Sequence, residues 1–456
     1  MTYMFTNCLK LTSLDLSSFE TVKLKSLLAI FSNCYSLNYL NIQNFKTDLI
    51  DDMSNMFLNC KALKDLDLSS FDTSKVTSMS EMFTGCEKLT SIKLSDKFVT
   101  NNVKTTFRMF SDCKSLKQLD LKNFYTSNVE EIGYLFENCE SLISIDVSHF
   151  DTKKVYRFNG MFSGCSSITS LNLNSFDTSN GEYFSQMFYG CASLRTIDVS
   201  RFDTSKAVNM NEMFYNCSSL TSLDVTRFDI SNCESMAGIF AYCKNLKSLN
   251  LDNFNTTLVY RMNNMFEHCE SLTSLDLSKF NTRYLRQGAN MFTDCHSLKS
   301  LDLKNFETPE LSNMKDMFRN CKSLEYLDIS KFQTFMIKDM SYLFYNCNKL
   351  KTLILSSNFE TSYASTMEHM FHNCSSLEEI DLSSFITDRV TKMNYMFNGC
   401  KVLKSLDLSS FYSLKVNDFE GIFDECKELV LTINEDTCRN MIQYIPNYVV
   451  INRTNY

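Results

Sequence analysis

Seventeen cysteines recur along this chain at a single period, from Cys8, Cys34 and Cys60 through to Cys400 and Cys426. The step is 26 residues except from Cys86 to Cys113 and from Cys347 to Cys374, where it is 27 and the extra residue falls just before Phe98 and Phe359. A unit this short cannot enclose an apolar stripe by itself, so the copies must stack and share one core. The composition has the bias that copying leaves behind: 38 Phe, 24 Met and 19 Cys stand against 10 Gly, 2 Pro and no Trp in 456 residues.

The unit ending at Cys86 shows the pattern. Leu63, Leu66 and Leu68 give the L-x-x-L-x-L spacing of a leucine-rich repeat, with Leu66 and Leu68 alternating about Asp67 as in a short strand. Val76, Met79, Met82, Phe83 and Cys86 follow at intervals of three and four, which predicts an amphipathic helix sharing the strand's core. Asn, Gly or Asp precedes the cysteine in 14 of the 17 repeats, predicting positive φ there as at a helix C-cap. A Thr nearly always stands two residues after the mid-repeat Phe, as Thr73 after Phe71, and suits a turn or a helix N-cap. The expected fold is α/β: a right-handed leucine-rich-repeat solenoid of about seventeen coils of 26 residues. A continuous parallel sheet would line its concave face, and one short helix per coil its convex face. Two phenylalanine spines should run through its core. Residues 1–426 form the expected solenoid. Residues 427–456 read as a capping unit, with Cys438, Met441, Ile442 and Ile445 on a helical stripe and Val449-Val450-Ile451 after Pro446. The chain opens in the middle of a repeat, which predicts a frayed first coil and a piece of a longer protein.

The phrase from Leu66 to Cys86, in which Phe-Asp-Thr-Ser precedes Met-Phe-x-x-Cys, resembles the BspA-like leucine-rich-repeat surface proteins of anaerobic bacteria, mycoplasma-type bacteria and parasitic protists. The resemblance covers residues 1–426. It implies a cell-surface or secreted adhesin that binds host or matrix protein through its solenoid. Neither a signal peptide nor an anchor is visible in this chain, which leaves an intracellular scaffold or sensor as the alternative.

Several chemistries are not expected. The net charge is −8, with 45 basic and 53 acidic residues interspersed, so the basic footprint of a nucleic-acid binder is missing. No run of 18 apolar residues predicts a membrane span. Cysteines on core stripes, without any C-x-x-C, read as reduced, buried thiols and not as disulfides or metal ligands. His369 and His372 form the one H-x-x-H, but no third ligand recurs beside them, so no metal centre is expected. Ser–Asp pairs lack a partnering His, which argues against a hydrolase triad. No catalytic residue and no cofactor are expected.

The outward strand positions carry the functional signal. Asp lies between the two strand leucines in eleven repeats and Asn in three, Asn41, Asn172 and Asn250. On the plain reading each Asp is solvated, hydrogen-bonded to an adjacent Ser and copied with the repeat; on the functional one the column is an acidic groove for a basic partner or for cations, because carboxylates about 4.8 Å apart repel by roughly 1 kcal/mol per pair in water, a cost that packing does not ask for. Lys93 and Ile354 break the column in the two repeats with the inserted residue. Tyr326 falls on the same face near Asp302, Asp328 and Ile354, an aromatic and acidic mixture suited to a contact hot spot. The expected binding surface is this acidic, hydroxyl-rich face, centred on Asp276, Asp302, Tyr326, Asp328 and Ile354, and the expected partner is a protein.

Overall fold

The protein is described by a computed structural model over residues 2–454. It comprises two compact units, Met1–Phe228 and Asp229–Tyr456. Each is a leucine-rich-repeat β-solenoid in which one repeat makes one turn.

In the first unit β1 (Ser13–Asp15) pairs with β2 (Tyr39–Asn41), and β3 (Asp65–Leu68) with β4 (Ser91–Leu94). In the second, β5 (Ser274–Asp276) pairs with β6 (Ser300–Asp302), β7 (Tyr326–Ile329) with β8 (Thr352–Leu355), and β9 (Ser405–Leu408) with β10 (Val430–Asn434), which also pairs with β11 (Val450–Thr454). All these pairs are parallel, and Ser13 faces Tyr39 as Asp65 faces Ser91. The strands are parallel, as the repeat requires, but they form short pieces instead of one continuous sheet. The reason is local: Thr90 N–H reaches Lys64 O at 2.8 Å beside β3, whereas Ile143 to Lys117 and Thr221 to Arg195 stretch to 3.4 Å.

The helix expected in every coil is not there. Among the described residues the one α-helix is α1, Glu435–Cys438, capped by the Asn434 side chain, and a single 3-10 turn follows at Ile442–Tyr444. Val76, Met79, Met82, Phe83 and Cys86 are all fully buried, as a core stripe demands. Their intervals of three and four come from chained four-residue turns: the N–H groups of Met82, Thr84 and Cys86 donate to the carbonyls of Met79, Glu81 and Phe83. The alternate N–H groups point along the stack instead. Those of Glu81, Phe83 and Gly85 donate to Phe107, Met109 and Ser111 of the next coil at 2.8, 2.9 and 2.8 Å. The second unit repeats this, His369, Phe371 and Asn373 donating to Asn394, Met396 and Asn398.

Two left-handed residues per coil make that alternation possible. Positive φ occurs at the residue before the cysteine in all 17 repeats, including Tyr242, His268 and Glu425 where the residue type gives no hint. A second column lies four residues earlier, at Glu81, Arg108, Tyr134 and their equivalents. A non-glycine residue in this region costs about 1–2 kcal/mol. The hydrogen bonds gained along the stack offset it at about 1 kcal/mol each.

Side chains tie the coils in the same direction. Cys86 Sγ donates to Phe57 O of the preceding coil at 3.3 Å, and Cys269 repeats this on Phe240 at 3.2 Å. Thr73 is buried, but its hydroxyl caps no helix: it donates to Val99 O and accepts from Val99 N–H in the next coil. Asparagines before the cysteine form ladders, Asn59 to Asn33 to Asn7 and Asn373 to Asn346 to Asn320, at 2.8–2.9 Å. Of the two phenylalanine spines, one stacks unbroken from Phe5 to Phe214 in the first unit and from Phe240 to Phe423 in the second. The other is stacked in runs such as Phe124, Phe150 and Phe176. The last coil is shorter, since Val450 of β11 faces Val430 of β10 across 20 residues.

Two stability predictions result. Gly85 and Gly190 both sit at positive φ, but a Cβ at Gly85 would fall 2.3 Å from Asn59 Oδ1, while one at Gly190 would meet nothing closer than 3.6 Å. Gly190→Ala should therefore cost only the backbone term, about 1–2 kcal/mol, and Gly85→Ala distinctly more. Urea midpoints that fall equally in both variants would refute the role of the ladder. The second prediction concerns the thiols, all nineteen of which are free and all but Cys8 buried. Burial pushes Cys86, Cys191 and Cys347 up to about 12. Unfolded thiols lose their protons near pH 9 and these keep theirs, so the native state binds more protons and stability falls as pH rises from about 9 toward 12. Each such thiol contributes roughly 1.4 kcal/mol per pH unit there, which urea titrations at stepped pH would read as a steep alkaline loss. Few thiols should react with a thiol reagent before unfolding and nearly all nineteen after it.

Candidate binding surface

The strand leucines point inward and their alternating neighbours point outward, so each coil presents its mid-strand residue, Asp in eleven of them, to solvent. Leu275, Leu301 and Leu327 are buried, whereas Asp276 is exposed and Asp302 and Asp328 half-exposed. Parallel register places Asp276 directly against Asp302, and Asp328 against Ile354.

Each of these aspartates also has a local task. Asp276 Oδ1 accepts the N–H of Ser278 at 2.8 Å, Asp302 that of Lys304 at 3.0 Å, and Asp328 that of Ser330 at 2.9 Å. The same two-residue turn recurs at Asp15, Asp67, Asp146 and Asp407. It ends the strand by satisfying a backbone donor that the next coil does not reach. Hydrogen bonds from Ser278 hold the Asp276 carboxyl below the usual carboxylate range. Those from Ser148 and Ser200 do the same for Asp146 and Asp198. The bond to the adjacent Ser is the one that the plain reading of the sequence expects; that its donor is the backbone N–H two residues on, closing the end of the strand, is what the structure adds. The turn itself does not need a charge: Asn41, Asn172 and Asn250 make it with a neutral oxygen, to Gln43, Asn174 and Asp252.

Four of the five expected site residues come together. Asp276, Asp302, Tyr326 and Asp328 line one shallow depression of about 560 Å³, with Ser274, Ser300 and Lys304 at its sides. Tyr326 is 51% exposed there. Lys304 Nζ lies 3.6 Å from Asp302 Oδ2 and offsets part of its charge. Ile354 lies beside Asp328 on β8 and lines a neighbouring depression of about 750 Å³ together with Asp381 and Asp407. In the first unit the other break in the acidic column is a local pairing, because Lys93 Nζ sits 3.1 Å from Asp67 Oδ2. The H-x-x-H pair lies away from this face, on the turn segment of its coil. There burial lowers both imidazoles, His372 to about 4.

Comparison with solved structures finds leucine-rich-repeat proteins at low identity. One from Bacteroides ovatus is 15% identical, covers 100% of this chain and 86% of its own, and superposes with a TM-score of 0.35. One from Eubacterium ventriosum is 15% identical, with 83% and 81% covered and a TM-score of 0.33. A leucine-rich cell surface protein from Faecalibacterium prausnitzii is 13% identical, with 81% and 82% covered and a TM-score of 0.28. No curated protein matches this sequence. Four overlapping family matches, over residues 1–119, 108–223, 210–327 and 312–436, take in the repeats described above, and the chain accordingly belongs to the family described as Mycoplasma protein of unknown function, DUF285.

Proposed function

We propose that this protein is a non-catalytic binding module that presents its acidic strand face to a basic segment of a protein partner, centred on Asp276, Asp302, Tyr326 and Asp328 with Ile354 at the margin. The observation that carries the reading is the excess of charge over structural need. Asparagine makes the strand-ending turn in three coils, yet eleven coils use aspartate and accept the repulsion between neighbours. Asp276 and Asp328 spend one carboxylate oxygen on the turn and share their depression with an exposed tyrosine, and amphipathic rings of this kind serve as contact anchors. The resemblance to BspA-like surface proteins supports a location at the cell surface or outside the cell, and adhesion as the biological use. One observation favours the intracellular alternative: nineteen free thiols are more usual where the environment is reducing.

The test is a binding measurement with a fluorescent oligolysine peptide as probe. Asp302→Asn with Asp328→Asn should weaken binding, and adding Tyr326→Ala should weaken it further. Added salt should cost the wild-type complex more than the variant's. Thermal stability of the double variant should hold or rise slightly, because the amide keeps the turn while the repulsion is removed. Binding untouched by all three changes and abolished by substitutions on the turn segments would assign the wrong face.

A further inference from the structure

The turn segments of the second unit carry a cluster that the strand-face reading does not use. His369 occupies a left-handed position, with φ +55°, and His372 lies one turn on. The turn folds the two imidazoles toward each other until their Nδ1 atoms are 3.3 Å apart. Both rings are held in place by stacking. His369 lies between Tyr342 and Tyr395, at 4.7 and 4.9 Å and within 12° of parallel to each, and His372 stacks on Tyr345 at 4.9 Å and 19°. Arg319 lies over the rings of Tyr342 and Tyr345, at 5.3 and 5.2 Å, and is itself tied to Asp316 at 3.1 Å.

A helix would not produce this geometry. There, residues three apart share a face but their rings are free to diverge, whereas here the left-handed residue aims one ring at the other, tyrosines on both faces fix the plane of His369, and His372 is held by Tyr345 on one face and by the edge-on Tyr395. Zinc–imidazole bonds are about 2.0–2.1 Å long. At a tetrahedral angle, two such bonds place their nitrogens about 3.3–3.4 Å apart, so the observed separation matches the bite of a single ion. We propose that His369 and His372 form a two-imidazole chelate, through both Nδ1 atoms, for a zinc-like transition-metal dication. Among the described residues no group of three or more His, Cys, Asp or Glu is arranged to hold a metal, so the remaining positions on the ion go to water or to a ligand from outside. Donors limited to imidazole select zinc, copper or nickel over calcium or magnesium, which take oxygen. Eighteen of the nineteen thiols are buried in the core, and the remaining one, Cys8, belongs to the first unit. The arrangement also has a metal-free account, an Nδ1–H···Nδ1 hydrogen bond between different tautomers, and the experiment separates the two.

Zinc chloride alone is titrated into the full chain, with calorimetry for stoichiometry and long-range proton–nitrogen NMR of the imidazoles for the coordinating atom. The expected result is one zinc per chain, with the Nδ1 resonances of His369 and His372 shifting together and both rings carrying their proton on Nε2. His369→Asn keeps a residue that tolerates positive φ, and His372→Gln keeps a polar side chain. Each should weaken binding by roughly tenfold or more. His149→Gln should leave it unchanged. Circular dichroism of each variant distinguishes loss of a ligand from loss of the coil, and if one variant unfolds the Nδ1 shifts of the wild type still decide. The absence of a bound zinc, a site that survives both substitutions, or resonances that move at His268 or His296 instead would overturn the proposal.

Discussion

Every coil depends on backbone donors that alternate between closing a four-residue turn and bonding to the next coil. A helix spends all its donors on itself and then has only side chains with which to hold a neighbour. The segment around Met79 to Cys86 divides them, and the left-handed residues Glu81 and Gly85 rotate the chain so that every second N–H lies along the stack. Neighbouring repeats are thus joined by main-chain hydrogen bonds on the strand side and also on the turn side, where isolated parallel bridges such as Ser78 to Thr105 and Arg261 to Gln287 lead into the turns.

The conserved-looking monotony of the repeat follows from this. When successive coils superpose in register, a residue meets its own equivalent above and below, so a column must be made of groups that pair with themselves. Phenylalanine rings stack flat, asparagine amides donate one way and accept the other, and a threonine hydroxyl does both with the next coil's backbone. Cysteine is small enough to stay beneath the Phe column while its S–H reaches a carbonyl that would otherwise have one lone pair unused. Aspartate is the exception. It satisfies a donor within its own turn and repels its own copies, so its recurrence calls for a reason outside the core, and both breaks in its column, Lys93 and Ile354, fall in coils that carry an extra residue.

Much of the fold was legible in the sequence because its period is the fold. The spacing of cysteines set the length of a coil, the leucine alternation set the strand and its two faces, and the apolar stripe from Val76 to Cys86 named core residues that are fully buried. The residue before the cysteine advertised its positive φ by being Asn, Gly or Asp in most repeats. Side-chain chemistry also placed Asp276, Asp302, Tyr326 and Asp328 on one outward face, since in-register stacking leaves them nowhere else to be.

Tertiary structure alone decided what the stripe becomes. Intervals of three and four are common to an α-helix and to a chain of tight turns, and the column that distinguishes them mixes Glu81, Arg108 and Tyr134, which have no preference for positive φ, with Asn55, Gly160 and Asn264, which do, so residue type does not mark it. They adopt it because the neighbouring coil supplies carbonyls at the right height, an interaction between residues 25 or 26 apart that no local window contains. The approach of His369 to His372 has the same origin: the sequence determined that two imidazoles lie three residues apart, and the left-handed turn and the stacked tyrosines of adjacent coils determined that their nitrogens meet.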